Sequence, residues 1–320
     1  MPGVLGGVGT AGSDSSIGVP ARDEGRILAD RRWVWATVVL YIRLGKPRVV
    51  GLLLLVTAIS YVVAAEGTVV AATLALLMAA GALAAGGAAM VNSYWERDLD
   101  ALMDRTRARP LAAGTIAHPE HVLWGGIGSM VAGAAVGLLI NPLVALMLVA
   151  GALVYVLLYT VLLKRRTHWS VTVGGLAGSC AVFAGWFAGA PPSLVALLVG
   201  LLLFTWQSAH FWPLALARSA DYERAGIPML PAVVGPHRTG TYILVASAAT
   251  AGLSIGLGLA ANLGTLYLAG SFVVASLWLS VTGRLLIDPS QGMAWWAFKT
   301  SGIYLAAIFF LVLLDVVLVG

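Results

Sequence analysis

The sequence predicts an all-α protein, a polytopic membrane bundle of nine transmembrane helices with its amino terminus on the cytoplasmic side. Three observations support this fold class. Of the 320 residues, 60% are hydrophobic and only 10% are charged, against roughly 25% charged residues in a soluble domain. Nine apolar runs follow one another, each close to the ~20 residues that cross a bilayer. All 19 lysines and arginines fall on one side of the resulting topology.

The nine predicted spans are separated by short segments, several of them rich in turn residues. The spans cover residues 46–65, 68–92, 120–140, 143–163, 170–189, 193–217, 241–261, 264–283 and 297–319. Residues 41–320 are therefore expected to form a single transmembrane domain. Residues 1–40, rich in Gly and Ser and then charged, are expected to form a flexible cytoplasmic segment.

Basic residues set the predicted orientation. Seven precede or open the first span, and four, three, three and two follow the second, fourth, sixth and eighth spans. The remaining loops contain none, so the basic face is predicted to be cytoplasmic by the excess of Lys and Arg in cytoplasmic loops. The net charge of +5 is then interpreted as a sign of a protein in a lipid bilayer, and not of one that binds nucleic acid. The single cysteine, Cys180, excludes a disulfide scaffold, a cysteine-based zinc site and an iron–sulfur cluster.

Acidic and amide side chains follow the second span at a regular spacing. Asn92, Glu96, Asp100 and Asp104 are separated by four residues, so neighbours share a face if the segment is helical. Amide and carboxylate oxygens suit Mg²⁺, which takes one or two carboxylates together with substrate phosphate oxygens. The alternative is a solvated loop whose acids and bases pair. Against it, the stripe begins at the end of an apolar span, where unused polar groups are unfavourable.

Other polar residues lie on the same predicted face of the membrane. Arg105 and Arg109 follow the acidic stripe, and their guanidinium groups match phosphate geometry. The sixth span carries His210 near its end, and Asp221 lies eleven residues further on, on the same helix face if the helix continues. Together these groups fit a Mg²⁺-assisted diphosphate site beside an apolar cavity. A lipid diphosphate would place its head at the charges and its tail among the helices.

Four motifs are similar to those of the intramembrane aromatic prenyltransferases (UbiA-type) and, within them, of the protohaem IX farnesyltransferase family. They are N-x-x-x-E-x-x-x-D with R-T-x-x-R-P-L (92–111), Y-T-x-x-L-K-R-R-T (159–167), W-Q-x-x-H-F-W (206–212) and D-Y-x-x-A-G-I-P-M-L-P (221–231). R-L-G-K-P-R at 43–48 resembles the family's entry to its first span. The resemblance covers roughly residues 40–320.

The resemblance implies a central cavity open to the cytoplasmic face, in a multi-pass protein of a prokaryotic cytoplasmic membrane. It implies transfer of the farnesyl group of farnesyl diphosphate to the 2-vinyl group of haem B, giving haem O and diphosphate for haem O/haem A biosynthesis. Haem A synthase or terminal oxidase assembly would use the product. Site residues follow from the resemblance by matching position. The implied metal ligands are Asn92, Glu96, Asp100 and Asp221. The implied catalytic residues are Asp100, Asp221 and His210, and the implied diphosphate-binding residues are Arg105, Arg109, Tyr159, Lys164 and Arg165.

Three positions depart from the family pattern. Glu96 stands where the family has Asp, no Pro-Pro pair occurs around 178–185, and Ala209 replaces a Pro. Another prenyltransferase of the superfamily, acting on a quinone precursor or another tetrapyrrole, therefore stays open. A secondary transporter is a further alternative, although transporters place ionisable groups near the bilayer midplane. The third alternative is a non-catalytic assembly factor. The clustered acids with Arg105 and Arg109 argue against it, because such a factor needs no cation site.

Overall fold

The computed structural model describes residues 39–318, and within this range nine helices are long and apolar enough to cross a membrane. We number them α1 (Pro47–Ala64), α2 (Ala71–Trp95), α3 (Pro119–Leu138), α4 (Pro142–Leu163), α5 (Ser170–Gly189), α6 (Leu194–Ala217), α7 (Pro236–Ala260), α8 (Thr265–Gly283) and α9 (Gln291–Leu318). The described part contains no strand. The predicted all-α membrane bundle is confirmed, whereas its orientation stays a prediction. The expected flexible segment lies outside the described residues, except that Val39 and Leu40 are helical.

Local sequence explains where several helices begin. Proline stands at the start of α1, α3, α4 and α7, where its missing N–H is not needed and its fixed φ suits a helix. Asn141 and Ser193 cap α4 and α6 with side-chain oxygens that accept from the backbone N–H three residues on. Gly235, with φ of 80°, ends a short helix and allows α7 to start at once.

Two helices begin earlier than predicted. α7 starts at Pro236 rather than 241, so Arg238 lies inside a helix, and α9 starts at Gln291 rather than 297. Apolarity alone misses the first turn of α7 because His237, Arg238 and Thr239 are polar. In α9 the ammonium of Lys299 packs over the ring of Trp296 at 5.0 Å, and aromatic and basic residues of this kind are enriched at membrane interfaces.

The acidic stripe is not one continuous helix. α2 ends at Trp95, and a short helix, Arg97–Leu102, follows after Glu96 leaves the helical conformation. Met103 is extended, so Asp104 does not share the helix face predicted for it. α6 similarly ends at Ala217 before a second short helix, Ser219–Arg224. His210 and Asp221 would share a helix face only if the helix continued, and the structure shows that it does not.

The fourth span changes its helical pitch before it reaches the basic end. Residues Val154–Leu163, the second half of α4, form a π-helix. The amide of Lys164 donates to the carbonyl of Tyr159, five residues back, at 2.9 Å. π-helical segments are rare and often occur at functional sites. This segment carries two of the motif residues identified in the sequence, Tyr159 and Thr160.

A hydrophobic cluster formed by the connecting segments and by the adjacent ends of α5, α6, α7 and α9 joins the two acid-bearing segments. Leu99 and Met103 of the first segment pack in one buried cluster with Tyr222, Ile227 and Met229 of the second. These connecting segments lie at the end of the bundle where all the basic residues of the described chain occur. We call it the basic end. Burial of this apolar surface holds the segment after α2 beside the segment after α6, and so places their charged residues in one region.

Candidate active site

Glu96 is a buried carboxylate at the junction between α2 and the short helix that follows. Its Oε1 accepts from Lys164 Nζ at 2.6 Å, and the two side chains are only 4% and 9% exposed. The ammonium also lies 5.5 Å from the ring centre of Tyr159, which stacks on Tyr155 at 5.8 Å. Buried charges of this kind are tolerated only when paired. The structure thus brings together three residues that the sequence analysis singled out: Glu96, Tyr159 and Lys164.

Asn92, one helical turn before Glu96, is held from both sides. Its Nδ2 donates to Thr160 Oγ1 at 2.9 Å, and Lys46 Nζ donates to its Oδ1. Thr160 donates in turn to the carbonyl of Tyr155 at 2.8 Å, a bond that the π-helical spacing of five residues provides. The amide oxygen of Asn92 is therefore oriented toward Lys46. Burial lowers the pKa of Lys46 to about 8, and the nearby carboxylate of Glu96 acts in the opposite direction.

Asp100 is the third buried oxygen donor of the stripe. Its Oδ2 accepts from Arg109 Nη1 at 2.7 Å, with the carboxylate 3% and the guanidinium side chain 34% exposed. The loop between them folds back because Thr106 Oγ1 donates to the carbonyl of Asp100 at 2.9 Å. Asp100 and Arg109, predicted as a metal ligand and a phosphate ligand, therefore lie side by side.

A cavity of about 300 Å³ opens beside Asp100 at the basic end. Its lining combines four cations with one carboxylate and small or apolar side chains: Arg43, Leu44, Lys46, Ser93, Asp100, Arg105, Ala108, Arg109, Pro110 and Leu111. The excess of positive charge makes the cavity suitable for an anion with several oxygens. Arg105, a predicted phosphate ligand, is placed on its wall and forms no ion pair within the described residues.

The second acidic cluster is linked to the first through an arginine. Arg224 Nη2 contacts Asp104 Oδ2 at 2.6 Å and also pairs with Asp221, three residues before it. Asp221 is 14% exposed, whereas Asp104 and Arg224 are 60% and 51% exposed. Asp104, expected in the metal-binding stripe, instead connects the two segments at the surface.

Arg165 faces a different carboxylate from its neighbour Lys164. Its guanidinium forms two bonds to Asp98, at 2.7 and 2.8 Å. This pairing lowers the pKa of the Asp98 carboxyl, with the Arg165 hydrogen bond as the main cause. Since both side chains are well exposed, the pair adds little stability. The predicted phosphate ligand Arg165 is thus near the acidic stripe but engaged with Asp98.

His210 lies inside α6 among aromatic rings. Its Nδ1 is 2.7 Å from Ser301 Oγ, and its ring lies 4.4 Å from Trp206 and 4.5 Å from Phe298, centre to centre. His210 and Asp221 make separate contacts, since Asp221 pairs with Arg224 whereas His210 contacts Ser301. No group of three His, Cys, Asp or Glu side chains that could hold a metal occurs among the described residues. His210 instead belongs to the contact between α6 and α9.

The donor set at the end of α2 nevertheless fits Mg²⁺ in its chemistry. Asn92, Glu96 and Asp100 offer hard oxygen atoms, and they are buried next to cations that already compensate negative charge. Mg²⁺ keeps several waters and needs only one or two carboxylates when a substrate supplies phosphate oxygens. A cluster of three protein carboxylates is therefore not required.

Three residues of this site were missed by sequence reasoning. Lys46 and Thr160 occur in the quoted motifs at 43–48 and 159–167, but neither is given a role in the site from the sequence. Arg224 is not singled out there. The position of Lys46 directly before Pro47, at the start of a span, is a signal that could have identified it. No sequence pattern indicates that Thr160 contacts Asn92, since 68 residues separate them.

The nine membrane helices of residues 39–318, with buried acids and cations at one end, have the fold of an intramembrane prenyltransferase. The chain belongs to the UbiA prenyltransferase family, which it matches over residues 53–314. More particularly, it is 37% identical over 273 residues to a protein of Sulfurisphaera tokodaii named Protoheme IX farnesyltransferase, covering 84% of this chain and 90% of that protein. A protein of the same name from Symbiobacterium thermophilum is 40% identical over 280 residues, covering 86% and 93%.

A solved structure shares the fold. The UbiA homolog from Archaeoglobus fulgidus bound to GPP and Mg²⁺ matches with a TM-score of 0.61 and 18% identity, covering 85% of this chain and 99% of that one. At this identity the likeness concerns the fold alone. The match extends over nearly all of the membrane domain, and the chain is therefore an integral, multi-pass membrane protein of this fold.

Proposed function

We propose that this protein is a protohaem IX farnesyltransferase. It transfers the farnesyl group of farnesyl diphosphate to the 2-vinyl group of haem B, and the products are haem O and diphosphate. The observation that carries this function is a buried set of carboxylates and cations at the end of α2. It occurs in a chain that is 37–40% identical to proteins of that name over more than four fifths of its length.

The donor diphosphate is assigned to the basic end. Asn92, Glu96 and Asp100 are proposed to hold Mg²⁺ together with the diphosphate oxygens, and Asp221 is proposed as a ligand from the second acidic segment. Arg105, Arg109, Lys164, Arg165 and Tyr159 are proposed to bind the diphosphate. When bound, Mg²⁺ supplies positive charge that stabilises the leaving group. Support comes from the oxygen-rich, buried donor set and from the cavity beside Asp100.

The protein's own residues explain how the reaction is favoured. The allylic C–O bond of the donor breaks, its electron pair stays on the diphosphate oxygen, and positive charge spreads over the prenyl carbons. Lys164 and Arg109 already lie within hydrogen-bond distance of buried carboxylates, so they are preorganised to face developing negative charge. The apolar spans keep water away from the prenyl cation. After the vinyl carbon attacks, water adds the hydroxyl of the final substituent and a proton is released.

One oxygen of Asp221 in the second acidic segment is available to a cation. Its Oδ1 pairs with Arg224, whereas no side chain or amide of the described residues donates to its Oδ2. Asp221 can therefore contact a cation through Oδ2 while its pair with Arg224 stays closed. His210, proposed from its motif as a catalytic residue, is fixed between Trp206 and Phe298 and in this proposal acts on the acceptor rather than on the metal.

A second prenyl acceptor is the alternative that a specific observation favours. The segment 178–185 forms an uninterrupted stretch of α5, without the Pro-Pro pair of the family, and Ala209 is fully buried in α6. Both changes lie in helices of the same bundle that would surround the acceptor. A quinone precursor or another tetrapyrrole is therefore kept as the alternative acceptor.

The proposed setting is a prokaryotic cytoplasmic membrane with the basic end in the cytoplasm. This orientation is supported by the loops at the opposite end of the bundle, which contain no lysine or arginine among the described residues. Cytoplasmic loops generally carry an excess of Lys and Arg. Farnesyl diphosphate would then reach the site from the cytoplasmic side. The haem O product would pass to haem A synthase or to terminal oxidase assembly.

A product assay tests the proposed function. Purified protein in lipid nanodiscs is incubated with haem B, farnesyl diphosphate and Mg²⁺, and the pigment is identified by mass. We expect haem O to form. No haem O, in a preparation that still binds farnesyl diphosphate, would exclude haem B as acceptor and direct the search to quinone precursors.

Metal removal is a separate prediction. Treatment with a chelator is expected to stop turnover, and added Mg²⁺ is expected to restore it, because the developing diphosphate charge loses its main counter-ion. Rates are compared before chelation, after it and after readdition. Full activity in exhaustively chelated protein would contradict the proposed role of Asn92, Glu96 and Asp100.

A further inference from the structure

Two adjacent glycines, Gly174 and Gly175, lie near the start of α5 and face different neighbouring helices. A Cβ on Gly174 would lie 2.9 Å from Cδ2 and 3.2 Å from Cγ of Tyr159 in α4. A Cβ on Gly175 would lie 3.1 Å from Cβ of Gln207 in α6. Glycine is less favourable than alanine within a helix, and close packing against α4 and α6 accounts for its presence at these two positions.

Gly174 allows the Tyr159 side chain to lie directly against the backbone of α5. Carbon atoms in contact are normally about 3.5–4.0 Å apart, so a methyl group on Gly174 would overlap the inner part of the Tyr159 ring. Rotation of the ring about its own axis moves Cδ2 but not Cγ, because Cγ lies on that axis. The whole side chain of Tyr159 would therefore have to move.

The Tyr159 ring contacts the buried ion pair at the basic end. Lys164 Nζ lies 5.5 Å from the centre of this ring, and the same ammonium donates to Glu96 Oε1 at 2.6 Å. Tyr155 stacks on the ring, with the two ring centres 5.8 Å apart. Because the ammonium packs over the ring, a displacement of the ring changes where the Lys164 side chain can lie.

We propose that Gly174 is a positioning residue of the donor site. Its lack of a side chain fixes the place of the Tyr159 ring, and through that ring the place of the Lys164 ammonium, so that both can bind the diphosphate of the prenyl donor. This inference rests on the proposed function, in which Tyr159 and Lys164 bind the diphosphate. Gly175 has no part in it, since its close contact is with Gln207 of α6.

The first test measures binding of labelled farnesyl diphosphate, with Mg²⁺, to protein in nanodiscs, together with the KM for each substrate. We expect Gly174→Ala to weaken farnesyl diphosphate binding about tenfold, within the range of coupling between residues in contact, and to leave the KM for haem B unchanged. Two matched controls lie in the same helix. Gly175→Ala meets close atoms of α6, and Gly178→Ala has no atom within 4 Å of its added Cβ. Both should bind farnesyl diphosphate as wild type does.

A double-mutant cycle with Tyr159→Ala separates positioning from a general loss of stability. Tyr159→Ala removes Cγ and Cδ2 but keeps Cβ, which lies 3.4 Å from a Cβ on Gly174, an ordinary contact distance. We expect Tyr159→Ala to weaken farnesyl diphosphate binding and Gly174→Ala to cause no further loss in that background. A purely structural effect of Gly174→Ala would be equally large in both backgrounds. The double variant also serves if Gly174→Ala alone does not fold, because the overlapping ring is then absent.

Several results would overturn this assignment. Folded Gly174→Ala protein that binds farnesyl diphosphate like wild type would exclude a positioning role. An equal loss of binding in Gly175→Ala, or an equal rise in the KM for haem B, would reduce the effect to packing of α5. Unchanged binding in Tyr159→Ala would remove the ring from the donor site. A further loss in the double variant, or its failure to fold, would show that Gly174 does not act through the ring. If wild type itself binds no farnesyl diphosphate, the proposed function fails, independently of Gly174.

Discussion

Buried acceptors at the end of α2 are each matched by a cation from another part of the chain. Lys164 reaches Glu96 from 68 residues away, Lys46 reaches Asn92 from 46 residues away, and Arg109 folds back to Asp100. Removing one member of a buried ion pair leaves an uncompensated charge, which typically costs about 3–5 kcal/mol. Substitutions in this set therefore change stability together with binding, and tests of function need neutral replacements of similar size.

The first prediction at this scale concerns Asp100. Asp100→Asn keeps the shape of the side chain but removes its charge, and kcat should fall about 10²–10³-fold because stabilisation of the leaving group is lost. Asp221→Asn should act in the same direction. Glu223→Gln, an exposed change in the same short helix as Asp221, serves as control. Normal turnover in folded Asp100→Asn protein would refute the assignment.

The second prediction concerns Thr160. Thr160→Val removes the hydroxyl that orients the amide of Asn92 while keeping the volume. Loss of such an outer partner typically weakens metal affinity 10–100-fold. We therefore expect the Mg²⁺ concentration for half-maximal activity to rise by a factor in that range. Thr300→Val in α9, whose hydroxyl bonds only its own helix, should leave it unchanged, and an unchanged requirement in Thr160→Val would argue against Asn92 as a ligand.

The sequence predicts which residues belong to the site better than it predicts which of them contact each other. The four-residue spacing of Asn92, Glu96 and Asp100 identified three residues that the structure buries together. It failed for Asp104, because the helix ends at Leu102 and the following backbone turns away. Contacts such as Asn92 with Thr160 depend on how α2 packs against α4, and periodicity within one segment carries no information on them.

At the scale of elements, hydropathy located all nine spans to within a few residues. The largest differences are the start of α7, which extends into polar sequence, and the start of α9. The π-helix of α4 was not predicted, because a run of apolar residues is compatible with either helical pitch. α5 also approaches α1 closely at a glycine. A Cβ on Gly185 of α5 would overlap the carbonyl of Thr57 in α1.

This close approach gives a prediction for packing. Gly185→Ala should destabilise the bundle by about 1–3 kcal/mol, as overpacking generally does, since the methyl group meets backbone atoms that cannot rotate away. Gly178→Ala, in the same helix but with no atom near its added Cβ, should be neutral or slightly stabilising. The comparison is made by thermal unfolding in one detergent. Equal stability of the two variants would mean that α1 and α5 are not as close as described.

At the scale of the whole molecule, charge is distributed asymmetrically along the membrane normal. The described loops after α1, α3, α5 and α7 contain no lysine or arginine, and the cations outside the spans lie before α1 or after the even-numbered helices. The same end carries the cavity and the buried ion pairs. In the proposed orientation and function, insertion and activity depend on the same residues, because the cations that orient the protein also surround the cavity proposed for the diphosphate.

Orientation can be tested with single cysteines. Cys180 is the only cysteine, so Cys180→Ser provides a clean background for Glu223→Cys at the basic end and Thr68→Cys at the opposite end. In intact bacterial spheroplasts, a membrane-impermeant maleimide should label only Thr68→Cys. After lysis, Glu223→Cys should react as well. Labelling of Glu223→Cys in intact spheroplasts would reverse the predicted topology.

Because α4 contains a π-helix, the position of its site residues depends on the length of the span as well as on its composition. Removing one residue from Val154–Leu163 would allow ordinary i→i+4 pairing to resume. The five-residue spacing that lets Thr160 donate to the carbonyl of Tyr155 and Lys164 N donate to the carbonyl of Tyr159 would then be lost, and with it the contact of Thr160 with Asn92. A single-codon deletion here should therefore be as damaging to this protein as the loss of a charged site residue.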